Sequence, residues 1–290
     1  MEVLIVGAGA MGRWFAEAID RGETSIAFAD VDDTAAREAA DAIGGRTVPV
    51  TTEERFDVVC LAVPLSVVAD AIADHAPKAR RAIVDVTGVM ATPVEAMREH
   101  APERDRVSFH PLFSPENAPG NVAVVIDAPG PVTDELGERI EAHGNVLFET
   151  TAEDHDAAME TVQAKAHAAV LAFALAADDV PEPFRTPVST GLFDLVETVT
   201  GGTPRVYAEI QTAFGGAETV ADAAERIADA DRDEFEELYR EAGRRYRGVG
   251  QWNRESNRRE DAGDHEGARD REDAVDHEDT REREDAEESQ

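Results

Sequence analysis

Between Val3 and Gly12 the chain reads Val-Leu-Ile-Val-Gly-Ala-Gly-Ala-Met-Gly, an apolar strand running straight into three glycines spaced G-x-G-x-x-G. A helix follows, with Phe15, Ala18 and Ile19 on one face. Each glycine answers a different steric demand. Gly7 permits a tight turn, Gly9 lets the backbone approach a pyrophosphate, and Gly12 allows close packing of helix on strand. Ala8, Ala10 and Met11 fill the turn between them, and the helix N-terminus faces the phosphate charge. The next strand, Ser25 to Ala29, ends at Asp30, roughly 20 residues downstream, where an acidic side chain receives the adenosine ribose hydroxyls and repels a 2′-phosphate. NAD is therefore the expected cofactor, in preference to NADP. Val63 and Pro64 follow a third strand, at the edge where the nicotinamide end belongs, although Pro64 also serves as a strand terminator. The plainer alternative is a turn shaped for its own sake, with Asp30 capping the following helix.

The rest of the chain extends this pattern and then abandons it. Apolar runs at Val58–Val63, Ala82–Asp85, Arg106–Phe109, Val122–Ile126 and Val146–Phe148 alternate with helical stretches, which predicts a mostly parallel sheet covered on both faces. After Ala152 the strand signal disappears. A helix is expected from Glu153 to Ala177, unbroken by Gly or Pro, with others from Pro187, from Pro204 and within Glu218 to Tyr246. From Val249 onward almost no large apolar side chain remains, a composition that cannot offset its ordering entropy. The fold class expected is α/β: a doubly wound Rossmann domain over 1–151, an all-α substrate and dimerisation domain over 152–248, and a disordered acidic tail over 249–290.

The 290 residues carry a formal net charge of −34, which makes nucleic acid an improbable partner. Of 28 basic residues only Lys78 and Lys165 are lysines. Acidic, lysine-poor surfaces resemble those of proteins adapted to molar salt, where the Debye length falls to about 3 Å and carboxylate repulsion is screened; a mesophilic acidic protein is the other reading. The single cysteine, Cys60, lies in an apolar run and reads as a core thiol, leaving no internal disulfide and no cysteine-based metal site. No basic leader precedes the first strand and no run reaches about 18 apolar residues, so a soluble cytoplasmic protein is expected.

Three further segments carry chemistry: Asp85-Val-Thr-Gly-Val-Met-Ala-Thr-Pro93, Phe109-His-Pro-Leu-Phe-Ser-Pro115, and Glu153-Asp-His-Asp-Ala-Ala-Met-Glu-Thr-Val-Gln-Ala-Lys-Ala-His167. The first two follow strands and so lie at the carboxyl edge of the sheet, beside the cofactor crevice. With the glycine-rich start and Tyr207-Ala-Glu-Ile-Gln211, they resemble the prephenate dehydrogenase family over about residues 1 to 215, and His110-Pro-Leu-Phe-Ser-Pro115 is the most specific element. The resemblance implies oxidation of prephenate by hydride transfer to NAD, with loss of the ring carboxylate as carbon dioxide.

His110 falls on the family's catalytic histidine, the base for the ring hydroxyl, and an imidazole titrating near neutrality suits that work. Gln163 and His167, four residues apart, share a helix face and are implied to reach the substrate. His155 reads as a cap or packing residue. The family's serine beside the catalytic histidine falls on Gly88, for which the neighbouring Thr87 is expected to supply a hydroxyl to the substrate site, and its lysine falls on Met90. The arginine that grips a substrate carboxylate falls on Thr198, for which Arg185 or Arg205 would have to substitute. A β-hydroxyacid dehydrogenase, an imine reductase, arogenate as substrate, and a catalytically weak NAD-binding regulator stay open. Lys165, the helical lysine the first would need, points away from the His167 face.

Overall fold

A computed structural model describes residues 1–246 of the chain. Eight strands, β1 (Glu2–Val6), β2 (Ser25–Ala29), β3 (Arg46–Thr47), β4 (Phe56–Leu61), β5 (Ala79–Asp85), β6 (Asp105–Pro111), β7 (Asn121–Ala128) and β8 (Val146–Glu149), form one sheet in the order β3-β2-β1-β4-β5-β6-β7-β8. Every ladder is parallel except β6 with β7. The connection from Pro111 to Asn121 holds a single 3₁₀ turn, too short for the crossover a parallel pair needs.

Helices cover both faces, as expected of a doubly wound sheet. On one side α1 (Ala10–Ile19), α2 (Asp33–Ile43) and α5 (Pro131–Ala142) bury Phe15, Ala39 and Leu136 against Val3, Phe28, Val58 and Phe109. On the other, α3 (Val68–His75), α4 (Ala91–His100) and the start of α6 (Ala152–Met159) bury Ile72, Met97 and Ala152 against Leu4, Leu61 and Ile83. Strand alternation then decides where polar residues go. Val107 and Phe109 enter the first layer, so Ser108 and His110 face the second, beside α4 and α6.

The helix expected from Glu153 to Ala177 runs through α6, a π-helical segment Glu160–Lys165 and α7 (Ala166–Ala176). No residue of α7 is buried, although its sequence is Ala-His-Ala-Ala-Val-Leu-Ala-Phe-Ala-Leu-Ala. Next come α8 (Pro187–Thr200), α9 (Pro204–Ala213) and α10 (Gly216–Asp229). The helical stretch expected within Glu218 to Tyr246 is α10 and a further helix over 232–246, which Asp231 caps through the Asp233 and Glu234 N–H groups. The sheet and the helices through α9 belong to one compact unit, Met1–Ala221, and a second unit begins at Asp222. Among the described residues no helix is long and apolar enough to cross a membrane. The tail expected over 249–290 lies outside the described residues.

Candidate active site

The glycine-rich turn is built as its spacing requires. Gly7 has φ +103°, and a Cβ there would stand 2.2 Å from the Ala62 carbonyl oxygen; one at Gly12 would stand 2.1 Å from the Gly7 oxygen. Gly9 is different, because nothing lies within 4 Å of its missing Cβ. It is the N-cap of α1, has no side-chain cap and is followed by no acidic residue in the first turn. By contrast α2 has its first N–H groups taken by the Asp32 carboxylate. The amides at Ala10 and Met11 thus open on exposed space at a positive helix end, which fits a dinucleotide pyrophosphate. Asp30 closes the same turn: one carboxylate oxygen accepts the Ala8 N–H at 2.7 Å and the other the Asp32 N–H at 2.9 Å. Ala62 N–H donates to the Val6 oxygen at 2.8 Å and sets Val63 and Pro64 beside the turn. All the cofactor residues expected from sequence, Gly7, Ala8, Gly9, Ala10, Met11, Gly12, Asp30, Val63 and Pro64, meet at this carboxyl edge.

His110 lies in β6 itself, 7% exposed. Its Nδ1 is 2.8 Å from His155 Nε2, and His155 Nδ1 is 2.8 Å from Asp156 Oδ1. Asp156 in turn accepts N–H groups from Met90 at 2.9 Å and Ala91 at 3.1 Å, the start of α4. Burial opposes ionisation of Asp156, yet the hydrogen bonds from His155, Met90 and Ala91 hold its carboxyl below the usual range. Burial first, and His155 second, push the His110 imidazole down to about 3. The near-neutral titration expected from sequence is therefore not found. His110 is a neutral imidazole whose Nε2 looks toward Gly88, where a Cβ would be 3.5 Å away.

Thr87 does not serve His110 as expected. Its hydroxyl is 2.7 Å from Asp85 Oδ1 and 3.0 Å from the Val89 oxygen, because the carboxylate two residues back also takes its N–H and turns the side chain inward. Asp85 is wholly buried, and burial pushes it up to about 7 against the pull of the Thr87 and Ser108 hydroxyls. Its Oδ2 and the Ser108 Oγ are close without forming a hydrogen bond of good geometry.

Gln163 and His167 lie further along the helical stretch that carries His155, past the end of α6. Gln163 is inside the π-helical segment, an insertion that often marks a functional site. Among the described residues Gln163 Oε1 and His167 Nδ1 are buried atoms without partners. The His167 ring packs edge-on against Tyr207 at 4.6 Å, and burial lowers its proton affinity. Gln211, which sequence reading placed only in a family segment, donates to the Ala164 oxygen at 2.8 Å and leaves its own Oε1 free. Met159, Ala164, Ile210 and Phe214 pack with Val89, next to Gly88, and Leu112, two residues past His110, and so hold this helix over the sheet edge.

The cations divide. Thr198 is exposed with its hydroxyl on the Asp194 oxygen, and Arg185 lies over the Phe193 ring at 4.5 Å. Arg205 pairs at 3.0 Å with Glu209, whose carboxylate also accepts the Leu65 N–H at 3.0 Å just after Pro64. Lys165 pairs with Glu160 at 2.8 Å. His155 is the residue whose place sequence reading missed; the adjacent His-Asp pair is the signal that marks it.

Residues 15–125 match the family model described as prephenate dehydrogenase, nucleotide-binding domain. Over 232 residues the chain is 32% identical to a 4-amino-4-deoxyprephenate dehydrogenase of Streptomyces pristinaespiralis, covering 74% of this chain and 78% of that protein. Two solved structures share the fold. Prephenate dehydrogenase from Aquifex aeolicus, in complex with hydroxyphenyl propionate and NAD+, superposes with a TM-score of 0.64 at 19% identity, over 86% of this chain and 98% of that one. Synechocystis arogenate dehydrogenase gives 0.56 at 16% identity, over 86% and 100%.

Proposed function

Because the chain belongs to the prephenate dehydrogenase family of NAD-dependent dehydrogenases, we propose that it oxidises and decarboxylates prephenate to 4-hydroxyphenylpyruvate, with His110 as the base. The observation that carries this is a buried imidazole at the carboxyl edge of the sheet, its Nδ1 held by His155 and its Nε2 beside the side-chain-free Gly88. Gly7, Gly9, Gly12 and Asp30 hold the dinucleotide, and Val63 and Pro64 border its reactive end. Bound NAD supplies the hydride acceptor for the ring carbon. His110 Nε2 takes the ring hydroxyl proton as the carbonyl forms, and the ring carboxylate leaves as carbon dioxide, its bonding electrons making the ring aromatic.

Gln163 and His167 offer polar atoms to the substrate's oxygens from the helix above. Arg205 is the cation best placed for a carboxylate, since Glu209 ties it to the loop after Pro64. Thr87 has no part, its hydroxyl being committed to Asp85 and Val89. The apolar, unburied α7 supports a homodimer through the helical region. The charge of −34 speaks against nucleic acid as a partner, and with only two lysines it supports work at molar salt; the cytoplasm is the proposed location.

A second reading follows from the Streptomyces relative: the amino analogue of prephenate in place of the hydroxyl compound. Reduction of NAD is to be followed in molar salt on adding prephenate, arogenate or 4-amino-4-deoxyprephenate. Highest kcat/KM on prephenate, lost by about 10²–10⁴-fold in His110→Asn, is the expected result. Preference for either amino compound replaces the substrate, and native turnover by His110→Asn removes the base.

A further inference from the structure

The chain of contacts from His110 to Asp156 constrains where protons sit. Asp156 accepts two backbone N–H groups and its Oδ1 also meets His155 Nδ1, and a carboxylate only accepts. His155 Nδ1 is therefore the donor in that contact. A neutral imidazole has a single N–H, which leaves His155 Nε2 as an acceptor, 2.8 Å from His110 Nδ1. His110 Nδ1 must then carry its hydrogen, and His110 Nε2 is left bare. The other arrangement, a doubly protonated His155 donating to His110, puts a cation on a residue 3% exposed and places the hydrogen on the wrong nitrogen of His110.

We propose that His155 and Asp156 are positioning residues that fix the tautomer and ring orientation of His110, presenting Nε2 as the proton acceptor at the sheet edge. Gly88 has no side chain to orient the ring from the other side, and among the described residues the contact with His155 is the ring's single hydrogen bond. The reason for the geometry is the same that links two imidazoles anywhere: the hydrogen bond at one ring nitrogen decides the state of the other. When His110 takes a proton at Nε2, its Nδ1–H already points at a neutral acceptor with a carboxylate behind it. The developing charge is thus received by groups that need no rearrangement. Asp156 performs a second task with the same atoms, because Met90 and Ala91 are the first N–H donors of α4. The helix start and the histidine pair are locked together.

This inference deepens the role proposed for His110, but its first test needs no substrate. Long-range proton–nitrogen NMR of uniformly ¹⁵N-labelled native protein in molar salt at neutral pH reads both tautomers, with the His110 and His155 signals assigned by their loss in His110→Asn and His155→Gln. A protonated Nδ1 and bare Nε2 on both rings is expected. A protonated Nε2 on His110 overturns the relay, whatever the substrate proves to be. The second test is kinetic and compares His155→Gln, which keeps an acceptor for His110 Nδ1–H, with His155→Leu, which has none. The leucine variant should lose about 10–10²-fold in kcat, with KM for NAD within about threefold, and glutamine should recover most of the loss. Equal losses in both variants would reduce His155 to a packing residue.

Discussion

Asp85 stands at the end of β5 with no exposure to solvent, and burial raises its carboxyl from an ordinary 3.8 to about 7. The Coulombic push of Asp156 works in the same direction, while the hydrogen bonds from Thr87 and the nearby Ser108 hydroxyl work against it. A raised carboxyl means that the folded state holds a proton the unfolded chain has released. Its contribution to stability is complete below pH 3.8, declines as pH rises, and is gone above about pH 7. At 1.36 kcal/mol per pH unit the whole span is worth about 4 kcal/mol, of which about 2 kcal/mol falls between pH 5 and pH 7. Asp85→Asn removes the titration and keeps an oxygen for the Thr87 N–H and hydroxyl. It also sets an amide beside the Ser108 Oγ, which otherwise lacks a partner.

Urea unfolding of both proteins in molar salt, at intervals from pH 5 to pH 8.5, isolates this group, because carboxylates not coupled to Asp85 cancel in the difference. The variant should gain on the native protein by about 2 kcal/mol between pH 5 and pH 7 and by little more beyond. A difference that stays flat with pH would show that Asp85 is ionised throughout and that its burial is compensated in another way.

Replacing Asp30 by serine takes the acceptor from Ala8 N–H and from the ribose hydroxyls, so the Michaelis constant for NAD should rise about tenfold, roughly the worth of one charged hydrogen bond. A native protein that prefers NADP would contradict the assignment. Gly12→Ala forces a methyl to within 2.1 Å of the Gly7 oxygen, which should cost about 1–3 kcal/mol in unfolding and weaken NAD binding measured by calorimetry; an unchanged midpoint would refute the close approach. Leu175→Glu on α7, where the leucine is 90% exposed, should shift sedimentation from dimer toward monomer, and a native protein that sediments as a monomer at all concentrations would dismiss the interface.

The parts legible in sequence are those made by neighbours. Gly7, Gly9, Gly12 and Asp30 fall within one βαβ unit, so strand, turn and helix signals suffice to place them together. His110 was marked by the residues around it, and its strand face follows from alternation with Phe109. His155 was not, because the partner that gives it meaning is 45 residues away and reached only through helix docking. Thr87 shows the opposite failure: the hydroxyl was visible, but its direction is set by competition with Asp85, which no spacing reveals. The two-residue β3 offers too little apolar alternation to be seen. The π-helical segment at Gln163 has no Gly or Pro to announce it, since an extra residue per turn is a matter of tertiary packing.

The two halves of the site differ in how much of the chain must be in place before each exists. The pyrophosphate turn is complete once residues 7–30 have folded with the strand beside them. The histidine pair needs β6, the start of α4 and the start of α6 at once, contributed by residues 90, 110 and 155–156. Partial loosening of the helical layer should therefore silence the protein before it empties it. At intermediate denaturant, or after a nick in the connection to α6, nucleotide would still be held by a molecule in which the proposed base is no longer set, and a damaged copy would fail by doing nothing rather than by acting on the wrong compound.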